Sequence, residues 1–368
     1  MKLYLLSGFL GSGKTTAIQQ ACLQLMKKGT RVGVITNDQG AQLVDSAFIK
    51  SFQIPGREVV NGCFCCNYTQ LETGIQSLKK ENNPDVIFAE SVGSCTDIIA
   101  TVVKPLQQFY PELEIVLSVF ADAVILLKMS EGIPFCFDDD VNYIYEKQLE
   151  EADILVTNKT DLLDDKQSQL LRGRVNKMFP HEKILFQNSL REEDIQKWLN
   201  VLENVDGAIN RNSLEINYNK YGAGEAKLAW LDGELVIAAK RNNAADVAVI
   251  LINNLYHKIQ RHQYPIGHLK FLIQAKDWQR KISFTSSLEP GVRQTHSLIK
   301  LPQVNLLINA RVQVSPGILE HICQEAIRET MKNNDVAILN KGLTAFQPGY
   351  PKPVHRIAQR APSENIEN

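Results

Sequence analysis

Short apolar runs and amphipathic stretches alternate along the first half of the chain. Residues 3–7, 31–36, 86–89, 115–120 and 154–157 are runs rich in β-branched and other apolar side chains. Such runs predict strands buried on both faces. Residues 15–28, 70–80, 98–109, 141–151 and 167–178 instead space their apolar positions at helical intervals. Strands joined by crossover helices predict an α/β domain with a mostly parallel sheet covered by helices. The first domain is expected at residues 1–203.

The rhythm changes at residues 204–213, where Asn and Gly suit a linker. Residues 226–239 read as a hairpin turning at Asp232-Gly233, a favoured two-residue turn. A helical stretch at 244–259, strand-like runs at 268–273, 281–285 and 305–312, and a helix opened by Pro316 follow. They predict a smaller α+β domain over 214–346, its helices on one face of a mostly antiparallel sheet and client recognition its role. Four prolines between Gln347 and Ser363 predict an extended, partly disordered tail over 347–368.

Composition narrows the classes. The chain has 368 residues and a formal net charge of −1, so no global field draws nucleic acid or an anionic membrane. No apolar run in the sequence approaches the roughly 20 residues of a membrane span. The opening Met1-Lys2-Leu3-Tyr4-Leu5-Leu6 runs into glycines and a lysine without a small-residue cleavage site. It therefore reads as a strand, and a cytoplasmic location is expected. Seven cysteines, three of them inside four positions, fit metal or redox chemistry better than disulfide stapling.

Gly8-Phe9-Leu10-Gly11-Ser12-Gly13-Lys14-Thr15 satisfies the phosphate-loop pattern G-x-x-x-x-G-K-[ST], between a predicted strand and a predicted helix. Gly8, Gly11 and Gly13 permit the tight turn, with Ser12 and Thr16 in the same loop. Lys14 is expected at the β and γ phosphates and the Thr15 hydroxyl at Mg²⁺. Asn158-Lys159-Thr160-Asp161 follows a later strand. Asp161 can accept from guanine N1–H and its exocyclic amine, a donor pair adenine lacks, so GTP is preferred over ATP. Asn158 is expected to tie this loop to the phosphate loop, Lys159 to cover the base and Ser189 to close its other edge. Asp38 and Glu90 each end or follow a strand and are candidates for the Mg²⁺ shell or the attacking water, and Gly93 can offer its N–H to the γ phosphate.

Cys63, Cys65 and Cys66 lie in Asn61-Gly62-Cys63-Phe64-Cys65-Cys66-Asn67. Three thiolates suit Zn²⁺, with a fourth position for water or a partner's ligand, while Cu(I), Co²⁺ and Ni²⁺ stay open. Buried structural cysteines and a thiol–disulfide switch are the blander readings, and the flanking glycine and asparagines argue for an accessible loop. Cys95, two residues past Gly93, would move with the nucleotide switch and can join or leave a metal shell.

The motifs GFLGSGKTT, NGCFCC, Glu90-x-x-Gly93 and Asn158 to Asp161 together resemble the CobW-like GTPases, relatives of the nickel-insertion GTPases of urease and hydrogenase. The resemblance is specific over about 200 residues and continues loosely through Ile308-Asn309-Ala310-Arg311 and Phe346-Gln347-Pro348-Gly349. It implies a slow GTPase that holds Zn²⁺, Co²⁺ or a similar ion on the three cysteines. It also implies transfer to a client metalloprotein or a cobalt and corrinoid pathway, and nucleotide-dependent homodimers. Members often carry Glu where Asp38 stands and follow the switch glycine with Leu-Ala-Asp-Pro; here Ser94-Cys95-Thr96-Asp97 follows, and histidine-rich stretches are absent. A regulatory GTP-binding module gating a partner enzyme is the alternative, and an ATP-dependent activase or kinase a further one. Asp138-Asp139-Asp140 reads as a helix cap, Trp198, Trp230 and Trp278 as packing residues, and His268 and His296 as ordinary.

Overall fold

A computed structural model of the chain describes residues 1–38, 40, 44–133, 136–205, 212–287 and 299–358. Seven strands form one parallel sheet: β1 (Lys2–Ser7), β2 (Val32–Asn37), β3 (Gly56–Val59), β4 (Val86–Glu90), β5 (Glu114–Asp122), β6 (Ile154–Asn158) and β7 (Lys183–Gln187). Their order is β3-β2-β4-β1-β5-β6-β7. Eight helices belong with it: α1 (Lys14–Lys27), α2 (Val44–Lys50), α3 (Tyr68–Asn82), α4 (Lys104–Phe109), α5 (Ala123–Ser130), α6 (Asp139–Glu150), α7 (Asp165–Met178) and α8 (Glu192–Asn204). Successive side chains of β1 serve opposite cores. Leu3 and Leu5 pack with α3 and the cysteine loop, whereas Tyr4 and Leu6 pack with α1 and Trp198. Trp198 is a packing residue, as expected, and donates to Ser118 Oγ at 3.1 Å.

The α/β expectation holds, and so does the α+β domain. After α9 (Tyr218–Ala226), which packs on α6, come β8 (Leu228–Ala239), α10 (Ala244–Arg261), β9 (Ile266–Ala275), β10 (Trp278–Thr285), β11 (Gln303–Gln313), α11 (Pro316–Asn333) and β12 (Val336–Phe346). These strands form an antiparallel sheet in the order β10-β9-β11-β8-β12. Part of the expected linker, 206–211, and His296 lie outside the described residues.

Three local expectations need correction. Asp232-Gly233 does not turn: β8 runs straight through and pairs with β11 on one side and β12 on the other. Gly233 is not among the positive-φ residues that a primed turn would require. The predicted helix at 98–109 begins as a π-helical turn, Ile99–Val103, before α4. Of the expected tail, residues 359–368 lie outside the described residues; 347–358 carry no helix or strand, and residues 350–357 are docked. Val354 N donates to Cys65 O at 2.9 Å and Ile357 N to Ala100 O at 2.9 Å. His355 contacts the rings of Tyr68 and Phe109. No helix among the described residues is long and apolar enough to cross a membrane.

Candidate functional site

The phosphate loop leaves β1 at the carboxyl end of the sheet, where ligands of open α/β sheets bind. Gly8, Gly11 and Gly13 have φ of 122, 77 and 96°, so the turn depends on residues free of a Cβ penalty. The loop borders a cavity of about 320 Å³ lined on one side by Ser12 to Thr16, Glu90 and Gly93. Asn158, Lys159, Asp161 and Ser189 line its other end. Lys14 Nζ turns back to donate to Gly8 O at 2.5 Å, and burial pushes its pKa down to about 8 against the raising effect of Glu90.

The second motif acts as a tie. Asn158 Nδ2 donates to Ser12 O at 2.8 Å, and Asn158 Oδ1 accepts from Ser189 N at 3.0 Å and Ser189 Oγ at 2.8 Å. One buried amide thus sets the spacing of three loops. Lys159, at φ 63°, is held by Asp122 Oδ2 at 2.8 Å. Asp161 faces the same end of the cavity beside Asn188 and Leu190.

Thr15 Oγ1 donates to Glu90 Oε1 at 3.0 Å, while Glu90 Oε2 is buried without a hydrogen-bond partner. Burial, then the charge of Asp45, raises the Glu90 carboxyl. An orphaned carboxylate oxygen beside a hydroxyl is a donor set that suits a hard cation such as Mg²⁺. Asp38 lines the cavity and is also tied structurally. Its Oδ1 takes Arg311 Nη2 at 2.7 Å and the Gly40 N–H at 3.2 Å, so it ties β2 to β11. Arg311 is fully buried, stacks over Trp230 at 3.7 Å and also bonds Asp232 at 3.0 Å. Removing either carboxylate would leave a buried guanidinium short of a partner, a loss of about 3–5 kcal/mol when a buried pair is broken.

Cys63, Cys65 and Cys66 converge with their sulfurs within 4.8 Å of one another. The loop is less accessible than the sequence suggests. Cys63 and Cys65 are 3 and 4 % exposed and Cys66 is half-buried, while the flank Asn61 stays exposed; bonds from Asn37 and Asn67 fold the loop backbone. Asn37 Nδ2 donates to Val59 O and Gly62 O, its Oδ1 accepts from Phe64 N, and Asn67 Nδ2 donates to Val60 O. Hydrogen bonds from Cys65, Cys66 and Cys95 hold the Cys63 thiol well below its ordinary value; the bond to Cys63 pushes Cys66 up to about 11. The cluster therefore favours one thiolate at Cys63. A tetrahedral zinc shell with bonds of about 2.3 Å spaces its sulfurs by about 3.8 Å. Cys65 and Cys66 already stand 3.8 Å apart, while Cys63 lies 2.7 and 3.3 Å from them and would draw back on loading.

The segment after Glu90 joins the two sites. A Cβ on Gly93 would lie 2.9 Å from Leu10 N, so only glycine lets this segment lie on the phosphate loop. Gln148 Nε2 holds Gly93 O at 3.0 Å and Cys95 O at 2.8 Å. Ser94 Oγ donates to the buried Glu225 at 2.9 Å, and Cys95 Sγ lies 3.8 Å from the same carboxylate while also touching Cys63. Asp97 takes Tyr218 at 2.6 Å and Arg356 of the tail at 2.8 Å. Finally, the tail's Lys352 N–H donates to Cys66 Sγ at 3.2 Å.

Sequence reasoning missed Asp45, His268, Lys270, Lys281, Ser283 and Thr285, all of which line the nucleotide cavity. His268 is 4 % exposed and not the ordinary histidine expected. The available signal was the polar alternation His268-x-Lys270 and Lys281-x-Ser283-x-Thr285, which also suits a solvated strand face.

Residues 2–186 match the family model described as CobW/HypB/UreG, nucleotide-binding domain. The zinc chaperone CobW of a Sinorhizobium species is 29% identical over 199 residues, 46% of this chain and 54% of the relative. The zinc-regulated GTPase metalloprotein activator 1 of Schizosaccharomyces pombe is 28% identical over 227 residues, 57% of this chain and 51% of the relative. The chain spans about half the length of the curated relatives it matches. HypB from Helicobacter pylori in complex with nickel has a TM-score of 0.41 at 15% identity, over 58% of this chain and 91% of that one. The family match takes in the phosphate loop, the cysteine loop and the Asn158 to Asp161 loop, half of the 368 residues, and on that ground the chain belongs to the CobW/HypB/UreG family.

Proposed function

We propose that this protein hydrolyses GTP and uses the nucleotide state to bind, hold and hand over a transition metal at Cys63, Cys65 and Cys66. The observation that carries the coupling is the short path from Glu90 through Gly93 to Cys95. Gly93 lies on the phosphate loop, and Cys95 touches Cys63. A γ phosphate that draws Gly93 inward would move Cys95 against the thiolate cluster, and metal affinity would follow. Thr15 and Glu90 would hold Mg²⁺, which neutralises charge on the β and γ phosphates. Lys14 leaves its carbonyl partners to meet the same phosphates, and Asp161 reads guanine. Zinc is the preferred cargo, since relatives carry zinc in their names and thiolates suit it, with cobalt second. The recipient is a client metalloprotein in the cytoplasm, and GTP-dependent pairing of two chains is part of the proposal.

The test is a zinc titration of the full chain with bound GDP and with a non-hydrolysable GTP analogue. A difference of about tenfold or more in affinity is expected, in line with ordinary coupling energies. Equal affinities would overturn the coupling, and equal displacement by GDP and ADP would overturn the base reading.

A further inference from the structure

β9 and β10 each show one face to the second domain's core and the other to the nucleotide cavity. Leu269, Phe271, Ile282 and Phe284 fill the core, whereas His268, Lys270, Lys281 and Thr285 line the cavity. Pairing of the strands sets His268 opposite Thr285 and Leu272 opposite Lys281. The contact with the phosphate loop is direct: a Cβ on Gly11 would lie 2.7 Å from Thr285 Cγ2.

Two of the lysines there share a carboxylate. Lys270 Nζ and Lys281 Nζ both bond one carboxylate, Asp45 at the start of α2, the second at 2.9 Å. Burial alone would raise the Asp45 carboxyl, but the two ammonium groups hold it far below the carboxylate range. Lys270 also feels the carboxylates of Glu90 and Asp38, so it stands among the charged groups of the phosphate end. Lys270 is close enough to Lys14 to lower its pKa and to Glu90 to stabilise its charge. His268 adds an imidazole with both nitrogens buried and without hydrogen-bond partners. Its surroundings, first burial and then Lys270, Arg311 and Lys14 against Asp45, keep it neutral, a state with one donor and one acceptor. A buried imidazole N–H without a partner beside two ammonium groups that line the cavity is a donor set that a phosphate anion would engage.

We propose that the second domain completes the phosphate end of the nucleotide site, with Lys270 as a γ-phosphate ligand that Asp45 holds in reserve and His268 as its hydrogen-bonding neighbour. The assignment rests on the nucleoside-triphosphate reading of the cavity. A γ phosphate competes with Asp45 for Lys270, and a diphosphate does not reach it. Taking Lys270 away leaves α2 tied to the second domain by Lys281 and by the Val44 N–H to Asn309 Oδ1 bond at 2.8 Å. The loaded site thereby loosens α2 from the second domain, so triphosphate and diphosphate forms differ at the domain contact.

The experiment measures affinities of the full chain for a non-hydrolysable GTP analogue and for GDP, in native, Lys270→Ala, Lys270→Arg and Asp45→Asn forms. Lys270→Ala is expected to weaken the triphosphate by about 10- to 100-fold, the worth of one charge-assisted hydrogen bond, and GDP by less than about twofold. Lys270→Arg should recover part of the loss. Asp45→Asn removes the competing carboxylate and should tighten the triphosphate selectively, an effect that damage to the fold does not produce. Equal losses for both nucleotides, or weakening in Asp45→Asn, would overturn the assignment. If native protein prefers adenine nucleotides, the guanine reading fails while the ratio of triphosphate to diphosphate, measured with ATP and ADP analogues, still tests Lys270. Absence of any triphosphate binding overturns both.

Discussion

The nucleotide cavity and the cysteine loop are built from the same sheet edge but closed in different ways. The cavity stays open: its polar groups already face a volume of about 320 Å³, and a phosphate would draw Lys14 from two carbonyls. The cysteine loop is largely covered, with Cys66 half-buried. Its sulfurs lie under Cys95 on one side and under tail residues 352–354 on another. One site is ready to load, and the other must move to load or unload. The proposed coupling uses that asymmetry, because a site that loads without rearrangement can act on one that must move.

The largest expected effect comes from emptying each site separately. Lys14→Ala should weaken GTP binding by at least about 100-fold while zinc per chain stays at the native level. Replacing Cys63, Cys65 and Cys66 together by Ser should abolish stoichiometric zinc and change GDP affinity by less than about threefold. Calorimetric titration and metal analysis on both variants check this. If either variant empties both sites, the two regions are one unit and the contrast is lost.

Asp161→Asn comes next and acts only at the base end. Guanine then faces an amide that cannot accept both of its donors, so GDP affinity should fall by about 100-fold. Xanthosine diphosphate, whose base presents an acceptor in place of the exocyclic amine, should gain. Nucleotide competition reads both changes, and unchanged GDP affinity would remove Asp161 from base recognition.

A third test addresses the brace between the regions. Glu151 accepts from Thr96 Oγ1 at 3.0 Å and Ile99 N at 3.0 Å, and burial pushes its pKa from 4.5 up to about 8. The folded state keeps a proton that the unfolded chain releases near pH 4.5, so its contribution is fullest below that pH and declines up to about pH 8. Glu151→Gln has no proton to lose. It should flatten the pH dependence of urea unfolding and stabilise the fold at pH 8 by on the order of 2 kcal/mol. An unaltered slope would mean the carboxyl stays charged in the fold.

Legibility in the sequence follows the same contrast. The phosphate loop, the base loop and the alternation of strands and helices are local: spacing along the chain is spacing in space, so they were readable. The Asp38–Arg311 pair is not legible in the sequence because Arg311 lies on a strand of the other domain. The cysteine loop was read as open because Asn37, which turns its backbone inward, comes from β2. Asp232-Gly233 carries the composition of a turn, yet two neighbouring strands hold it extended. The docked tail was hidden for a related reason: Pro351, Pro353 and the polar residues near them lack any helical period. Burial nonetheless alternates along Pro353, Val354, His355, Arg356 and Ile357 once Cys65 and Ala100 accept their backbone donors.

The smallest effect tests whether that tail is a seal. Val354 is 52% exposed, so replacing it by Pro removes little packing. What it removes is the N–H that Cys65 O accepts at 2.9 Å. Loss of one such bond is worth about 1 kcal/mol, which predicts roughly 3- to 10-fold faster zinc transfer to a chelator. Ile357→Pro removes the bond to Ala100 O, farther from the sulfurs, and should accelerate transfer less. Nucleotide affinity should hold in both, since neither residue lines the cavity. Equal acceleration by the two would mean that the tail loosens as a whole. No acceleration in either would mean that the ion leaves on the Cys95 side, and the closing of the metal site would then belong to the nucleotide switch alone.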